Sequence, residues 1–410
     1  MRLLPFVAFT LLGAGLLPAQ QVLTVSASGG AMFTDIGAAV AAASNGDVLL
    51  VASGGYAPFT INGKALTILA NNSTVFAPGN PPPAAPTVVI ENLTPAQRVN
   101  VIGLSAMGFA QAPALVLVRN NQGSVWLHDM FCDAFGAPAL VVDNSVDVVI
   151  ENGLLQANRA AMSPSGVPLP TPGMRVVSSG VFVYDSEVRG STGSMSGAGL
   201  PSPTAAADGG DGIEMIGGLV TIEGGRVIGG SGITLYAPAC NQGGSGGDAI
   251  QMSANGLNTP VVRLRNVALQ PGGASLNTCP GTVTNGMQLN VLSGTPILDA
   301  GVERLLHGPA GILGPTVVPV EVVGASGDVA FVFAGLPSPR VYLGGLPVHL
   351  NAPVITLGFV VLGATGRGTL NVPVMGLGPA SPPIVFGLQA LVLDASSGAY
   401  STNPRPLIVR

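Results

Sequence analysis

The stretch Gly209 to Met215, "GGDGIEM", returns as "GGDAIQM" at Gly246 to Met252 and, more weakly, as "VTNGMQL" at Val283 to Leu289, each copy 37 residues after the last. A fixed interval of this size is the mark of a solenoid, in which one supersecondary unit stacks on the next because no unit can cover its own apolar edge. The same plan extends upstream. "APALVLVRNNQGSVWLHD" from Ala112 and "APALVVDNSVDVVIEN" from Ala137 begin 25 residues apart, and each reads as two short strands with a polar bend between them. "GMRVVSSGVFVYDSEVRG", "GIEMIGGLVTIEGGRVIGG" and "AIQMSANGLNTPVVRLRNVAL" repeat the plan with longer loops between units, at Ala157 to Pro172, Gly190 to Gly210, Gly229 to Gly247 and Gln270 to Asn285.

Aligning these units stacks Leu127, Ile150, Val183, Ile222 and Leu264 at one inward position, with His128, Glu151, Tyr184, Glu223 and Arg265 pointing out. Asp129, Asn152, Asp185, Gly224 and Asn266 follow directly. These residue types tolerate a left-handed backbone, so the column predicts a tight turn repeated rung by rung. On the other strand Ile213, Ile250 and Met287 stack inward, with Met215, Met252 and Leu289 two residues on, while Glu214, Gln251 and Gln288 stack outward. Asp211, Asp248 and Asn285 sit where the chain turns into that strand. Each is expected to cap its own turn through backbone N–H groups; the alternative is that Asp208, Asp211 and Asp248 together hold a Ca²⁺.

The first twenty residues stand apart. Arg2, the apolar run Leu3 to Leu17 and the small-residue site Pro18-Ala19 have the layout of a secretory signal peptide, the rival reading being an uncleaved N-terminal anchor. No later stretch is long and apolar enough to span a bilayer. Only 9% of residues are charged, Lys64 is the single lysine and the net charge is −5, so there is no basic surface for a nucleic acid backbone. With 47% hydrophobic residues the chain must bury a large core despite its 59 glycines and 35 prolines.

One helix stands out, "FTDIGAAVAAA" (Phe33 to Ala43), with Thr34 as its expected N-cap and Asn45-Gly46 as its stop. "DVLLVASGGY", "APFTING" and "KALTILA" follow. A helix and then an unbroken series of short strands resembles the N-terminal cap and first coils of the right-handed parallel β-helix proteins of the pectate lyase type, a family in which Asn-rich turn ladders are also familiar. The resemblance implies an all-β fold, a right-handed parallel β-helix with an N-terminal capping helix. From about Gly314 the repeat gives way to more open alternation with Gly and Pro turns, as in a small antiparallel sandwich. The expected division is therefore a signal peptide over 1–20, the β-helix over 21–313 and a C-terminal β-sandwich over 314–410. Residues Gln389 to Val409 resemble a C-terminal module seen on secreted bacterial proteins, which implies an accessory or surface-association role.

The resemblance further implies that catalysis, where a member has it, lies on the outer face of the first strands beside the long loops. Lyases there use clustered acidic calcium ligands with a basic residue, and the related hydrolases use paired carboxylates. At those positions this chain offers Asp143, Arg175, Glu214, Gln251, Gln288 and Asn290. Neither the lyase acid cluster nor the hydrolase aspartates and histidine are matched, and His128, His307 and His349 are scattered singly. "GGSGGDAIQ" (Gly243 to Gln251) fits the calcium nonapeptide of β-rolls, but that pattern needs tandem copies to build a site. "GGSGG" also fits G-x-S-x-G without the strand and helix that a nucleophile elbow requires. Cys240 and Cys279 fall in the edge loops of consecutive rungs and are expected to pair, leaving Cys132 as a buried thiol.

Two function classes follow. One is an exported, non-catalytic β-helix that binds a polysaccharide or other cell-surface material, through Arg175, Glu214, Gln251 and Gln288 with Tyr236 as a stacking wall, and needs no cofactor. The other is a polysaccharide lyase or glycoside hydrolase acting along the same groove.

Overall fold

A computed structural model describes residues 20–409, except 78–84, 110–112, 160, 163–167, 194–205, 235–239, 257, 280, 300–303, 309–311, 315, 344–345, 375–383 and 395–397. The leader, residues 1–19, therefore lies outside the described residues, as does Tyr236. Every pairing within the first sheet is parallel and joins strands one rung apart, which winds the chain into a β-helix with three faces. The first face stacks Phe59–Asn62, Val88–Glu91, Val116–Arg119 and Leu140–Asp143 and continues through Met174, Ile213 and Ile250 to Leu289–Val291. The second runs from Val22–Val25 through Ser124–His128 and Asp147–Glu151 to Thr295–Asp299. The third carries short strands such as Phe131–Phe135, Glu187–Arg189 and Ala268–Gln270.

The inward ladder Leu127, Ile150, Val183, Ile222 and Leu264 is in register throughout, and each member is buried. Each such aliphatic side chain contributes roughly 1.5–3 kcal/mol by leaving water. The turn column is left-handed at every position: φ is 51° at Asp129, 51° at Asn152, 42° at Asp185, 69° at Gly224 and 48° at Asn266. Asn152 Nδ2 donates to Asp129 Oδ1 at 2.6 Å, so the ladder bonds along its own length. A second left-handed column, Asn92, Asn120, Asn144 and Ser178, turns the first face into the second.

Three expectations change. Each rung has three strands rather than two, because the third is as short as three residues and sits where the loop was expected to begin. The helix covers Ile36–Ala42 with Asp35, not Thr34, as N-cap, and Lys64 Nζ closes its other end by donating to the carbonyls of Val40, Ala41 and Ala43. In the last rung Leu289, not Met287, stacks on Ile250, and Asn290, not Gln288, pairs with Gln251. That loop is two residues longer than the 37-residue interval allows, which leaves Met287 half exposed.

The glycine-rich loops have a structure of their own. Outgoing and returning segments interleave, and one line of hydrogen bonds passes between them: Ser191 N to Thr171 O, Gly210 N to Ser191 O, Gly230 N to Gly210 O, Gly247 N to Gly230 O, Gly272 N to Gly247 O and Gly286 N to Gly272 O, all between 2.7 and 3.0 Å. The backbones lie so close that a Cβ on Gly230 would stand 1.8 Å from the Ser191 carbonyl oxygen, and one on Gly209 would stand 1.8 Å from that of Gly230. The repeated "GG" is therefore a packing requirement. Cys240 and Cys279 are joined by a disulfide in these loops, with Cα atoms 5.1 Å apart, and Cys132 is a buried free thiol.

After the last strand of the β-helix, which ends at Asp299, the chain forms a three-stranded and a six-stranded sheet with predominantly antiparallel pairing. Their facing side chains, among them Val320, Val322, Val332, Val392 and Leu407, form one core. This domain does not hang free. Trp126, Val149 and Phe182, outward on the second face, pack against Leu305 and Val323.

Candidate functional site

On the outer side of the first face the chemistry changes halfway along the stack. Val89, Leu117 and Val141 occupy one outward ladder and are buried in an apolar cluster with Ala114. The following rungs put Arg175, Glu214, Gln251 and Asn290 at the same position. Three of the five residues expected to bind substrate are thus brought together, and Asn290 stands where Gln288 was expected. Arg175 Nε lies 2.6 Å from Glu214 Oε2, but the arginine side chain is 41% exposed, so the pair contributes no more than about 1 kcal/mol.

Beside this ladder the returning loops raise a wall. Arg175, Glu214, Gln251, Asp208, Asp211 and Asp248 share one groove of about 360 Å³. Its three aspartates are each engaged by backbone. Asp208 Oδ1 accepts from Ser245 N at 2.6 Å, Asp211 Oδ1 from Asp248 N at 2.8 Å, and Asp248 Oδ1 from Met287 N at 2.6 Å. The capping is thus real but reaches across to the following segment, 37 to 39 residues on, rather than closing each residue's own turn. Among the described residues no group of three or more His, Cys, Asp or Glu side chains is placed to hold a metal ion. Asp248 Oδ2 also accepts from Asn290 Nδ2 at 2.6 Å, tying the wall to the ladder.

One carboxyl is unusual. Burial pushes Asp211 up to about 6, and the charges of Asp248 and Glu214 add to this while the Asp248 N–H opposes it. Asp143 points out of the same face two residues further along the strand, in register with Arg119 and Val177, and is not among the residues lining this groove. The histidines behave differently from their spacing in the chain: His128 and His349 both pack edge-on against Trp126, with ring centroids 5.8 Å away in each case. They belong to the buried contact with the C-terminal domain, where His128 Nδ1 lies 2.9 Å from Glu151 Oε2.

No family model matches the chain, and no curated protein matches it. Among solved structures it is similar to a mutant tailspike protein of an E. coli bacteriophage in complex with a hexasaccharide, at 10% identity over 89% of this chain and 80% of that one, with a TM-score of 0.14. A similarity that weak assigns no ligand.

Proposed function

We propose that the protein is an exported β-helix that binds a polysaccharide along the groove of its first face without cleaving it. The observation that carries this reading is the in-register ladder Arg175, Glu214, Gln251 and Asn290 lying open beside the glycine-rich wall. Amides and an ion pair spaced one rung apart offer hydrogen-bond donors and acceptors to successive sugar hydroxyls of an extended polymer. Export is supported by the N-terminal sequence pattern and by the disulfide, a bond that persists in oxidising compartments. Among the described residues no helix is long and apolar enough to cross a membrane. The test is a panel of plant and bacterial polysaccharides, with binding and reducing ends measured together. Binding that Gln251→Ala weakens, with no release of reducing ends and no ultraviolet-absorbing unsaturated product, is the expected result.

A second reading rests on Asp211. A carboxyl that burial holds near 6, with a second carboxyl, Glu214, lining the same groove, is a pairing of the kind from which glycosidases build their chemistry. Turnover on any member of the panel, abolished by Asp211→Asn and by Glu214→Ala, would replace binding with hydrolysis.

A further inference from the structure

The C-terminal domain covers the second face only in part. At the rung of Phe182 and Tyr184 both side chains are buried beneath it. In the next two rungs the positions in register with Phe182 are Thr221 and Arg263, and those in register with Tyr184 are Glu223 and Arg265. There the two halves of the chain part and leave a cleft of about 270 Å³, with Thr221, Arg263 and Arg265 along the β-helix side and Arg304, Tyr400 and Ser401 facing them.

Three guanidinium groups line this cleft; Arg265 Nη1 lies 3.1 Å from the Glu223 carboxylate, and the charges of Asp328 and Asp394 stand close to Tyr400. Arg304 stacks over the Tyr400 ring, its Cζ 3.8 Å from the centroid. Arg263 is exposed and, among the described residues, makes no ion pair. Around it stand the hydroxyls of Thr221 and Ser401 and the apolar surface of Phe182, Leu219 and Leu346. A concave site between domains that combines apolar walls with comparable polar surface and one cation without an ion pair among the described residues has the make-up of a small-molecule site.

We propose that this interdomain cleft binds a small organic carboxylate, with the Arg263 guanidinium forked onto the carboxylate and Thr221 and Ser401 holding its other oxygens. The planar fork of arginine matches a carboxylate with two parallel hydrogen bonds. One uncommitted cation balances one negative charge, which favours a carboxylate over a doubly charged phosphate ester. The site lies on the second face, so its occupancy is separable from that of the Arg175 groove.

Titration calorimetry at low salt with glucuronate, citrate, inorganic phosphate and glucose tests this. A carboxylate is expected to bind, glucose and phosphate to bind at least about tenfold more weakly, and Arg263→Gln to weaken the carboxylate by about tenfold or more while leaving the melting temperature unchanged. Added salt should weaken binding as well. Preference for glucuronate over citrate supports a site for a single carboxylate, whereas preference for the multiply charged citrate overturns it. Gln251→Ala should leave this binding intact, since it alters only the other groove. Absence of carboxylate binding, full affinity in Arg263→Gln, or tighter binding of phosphate than of both carboxylates overturns the proposal.

Discussion

Arg405 Nη1 lies 2.7 Å from Glu151 Oε1, although 254 residues separate them in the chain. Asn403 Nδ2 donates to the same oxygen at 2.9 Å, and His128 Nδ1 lies 2.9 Å from the other. All four side chains belong to buried residues, so the C-terminal domain is held to the β-helix by charge that water does not reach. Burial alone would push the Glu151 carboxyl up, but His128 and Arg405 together outweigh it and hold the carboxyl below its usual range.

Removing one partner of such a group strands the others. Glu151→Ala is expected to cost about 3–5 kcal/mol, because Arg405 is left buried without a counter-charge. Limited proteolysis should then separate the two domains faster than in the wild type. Since the folded carboxyl titrates below the unfolded one, its contribution is present above the unfolded value and is lost as pH falls through the folded value. Thermal melts in acid should therefore show the wild type converging on Glu151→Gln.

The interleaved glycines make a sharp local prediction. Gly230→Ala places a methyl 1.8 Å from a carbonyl oxygen that is itself hydrogen-bonded, and backbone cannot give way as a side chain can. A loss of about 1–3 kcal/mol or more is expected from overpacking of this kind. Gly273→Ala is the control, because a Cβ there meets nothing nearer than the Ser231 hydroxyl at 3.9 Å. Equal melting temperatures for the two variants would show that the slab is loose.

The left-handed turn column is tested at Asn152. A β-branched residue at φ 51° is strained, so Asn152→Val should lower stability by roughly 1–2 kcal/mol and lose the bond to Asp129. Asn152→Gly relieves the backbone while also losing the bond, so the difference between the two variants isolates the strain.

Asp211 gives a pH dependence of opposite sign to Glu151. Its folded value, about 6, lies above the ordinary 3.8, so its contribution is fully present below 3.8 and is lost as pH rises through 6. Asp211→Asn keeps an oxygen for the Asp248 N–H and removes the charge. The variant should be more stable than wild type at pH 7 to 8 by on the order of 2 kcal/mol, with the advantage vanishing near pH 4. A constant difference between pH 4 and 8 would show that the carboxyl is not held up by its surroundings.

What could be read from the sequence was what repeats. The inward ladder, the Asp/Asn turn column and the Arg175, Glu214 and Gln251 series are periodic, and the structure keeps their register. The disulfide was legible because both cysteines fall in corresponding loops. Gln288 was misplaced because a loop longer by two residues leaves alternation intact while moving the pairing to Asn290. Nothing periodic marks the partners of His128 and Glu151. Their burial depends on Asn403 and Arg405 returning from the far end of the chain, and an outward-pointing residue looks the same in sequence whether water or a second domain covers it.

The six hydrogen bonds that run from Gly286 back to Thr171 all point one way, each N–H toward the earlier rungs. In the β-ladders neighbouring bonds alternate in direction and their dipoles largely cancel. Along this line they add, as the peptide units of a helix do, and each bond polarises the next. A chain in which only 9% of residues are charged thus acquires an axial polarity from its backbone alone, with the positive pole at the Thr171 end, near Arg175.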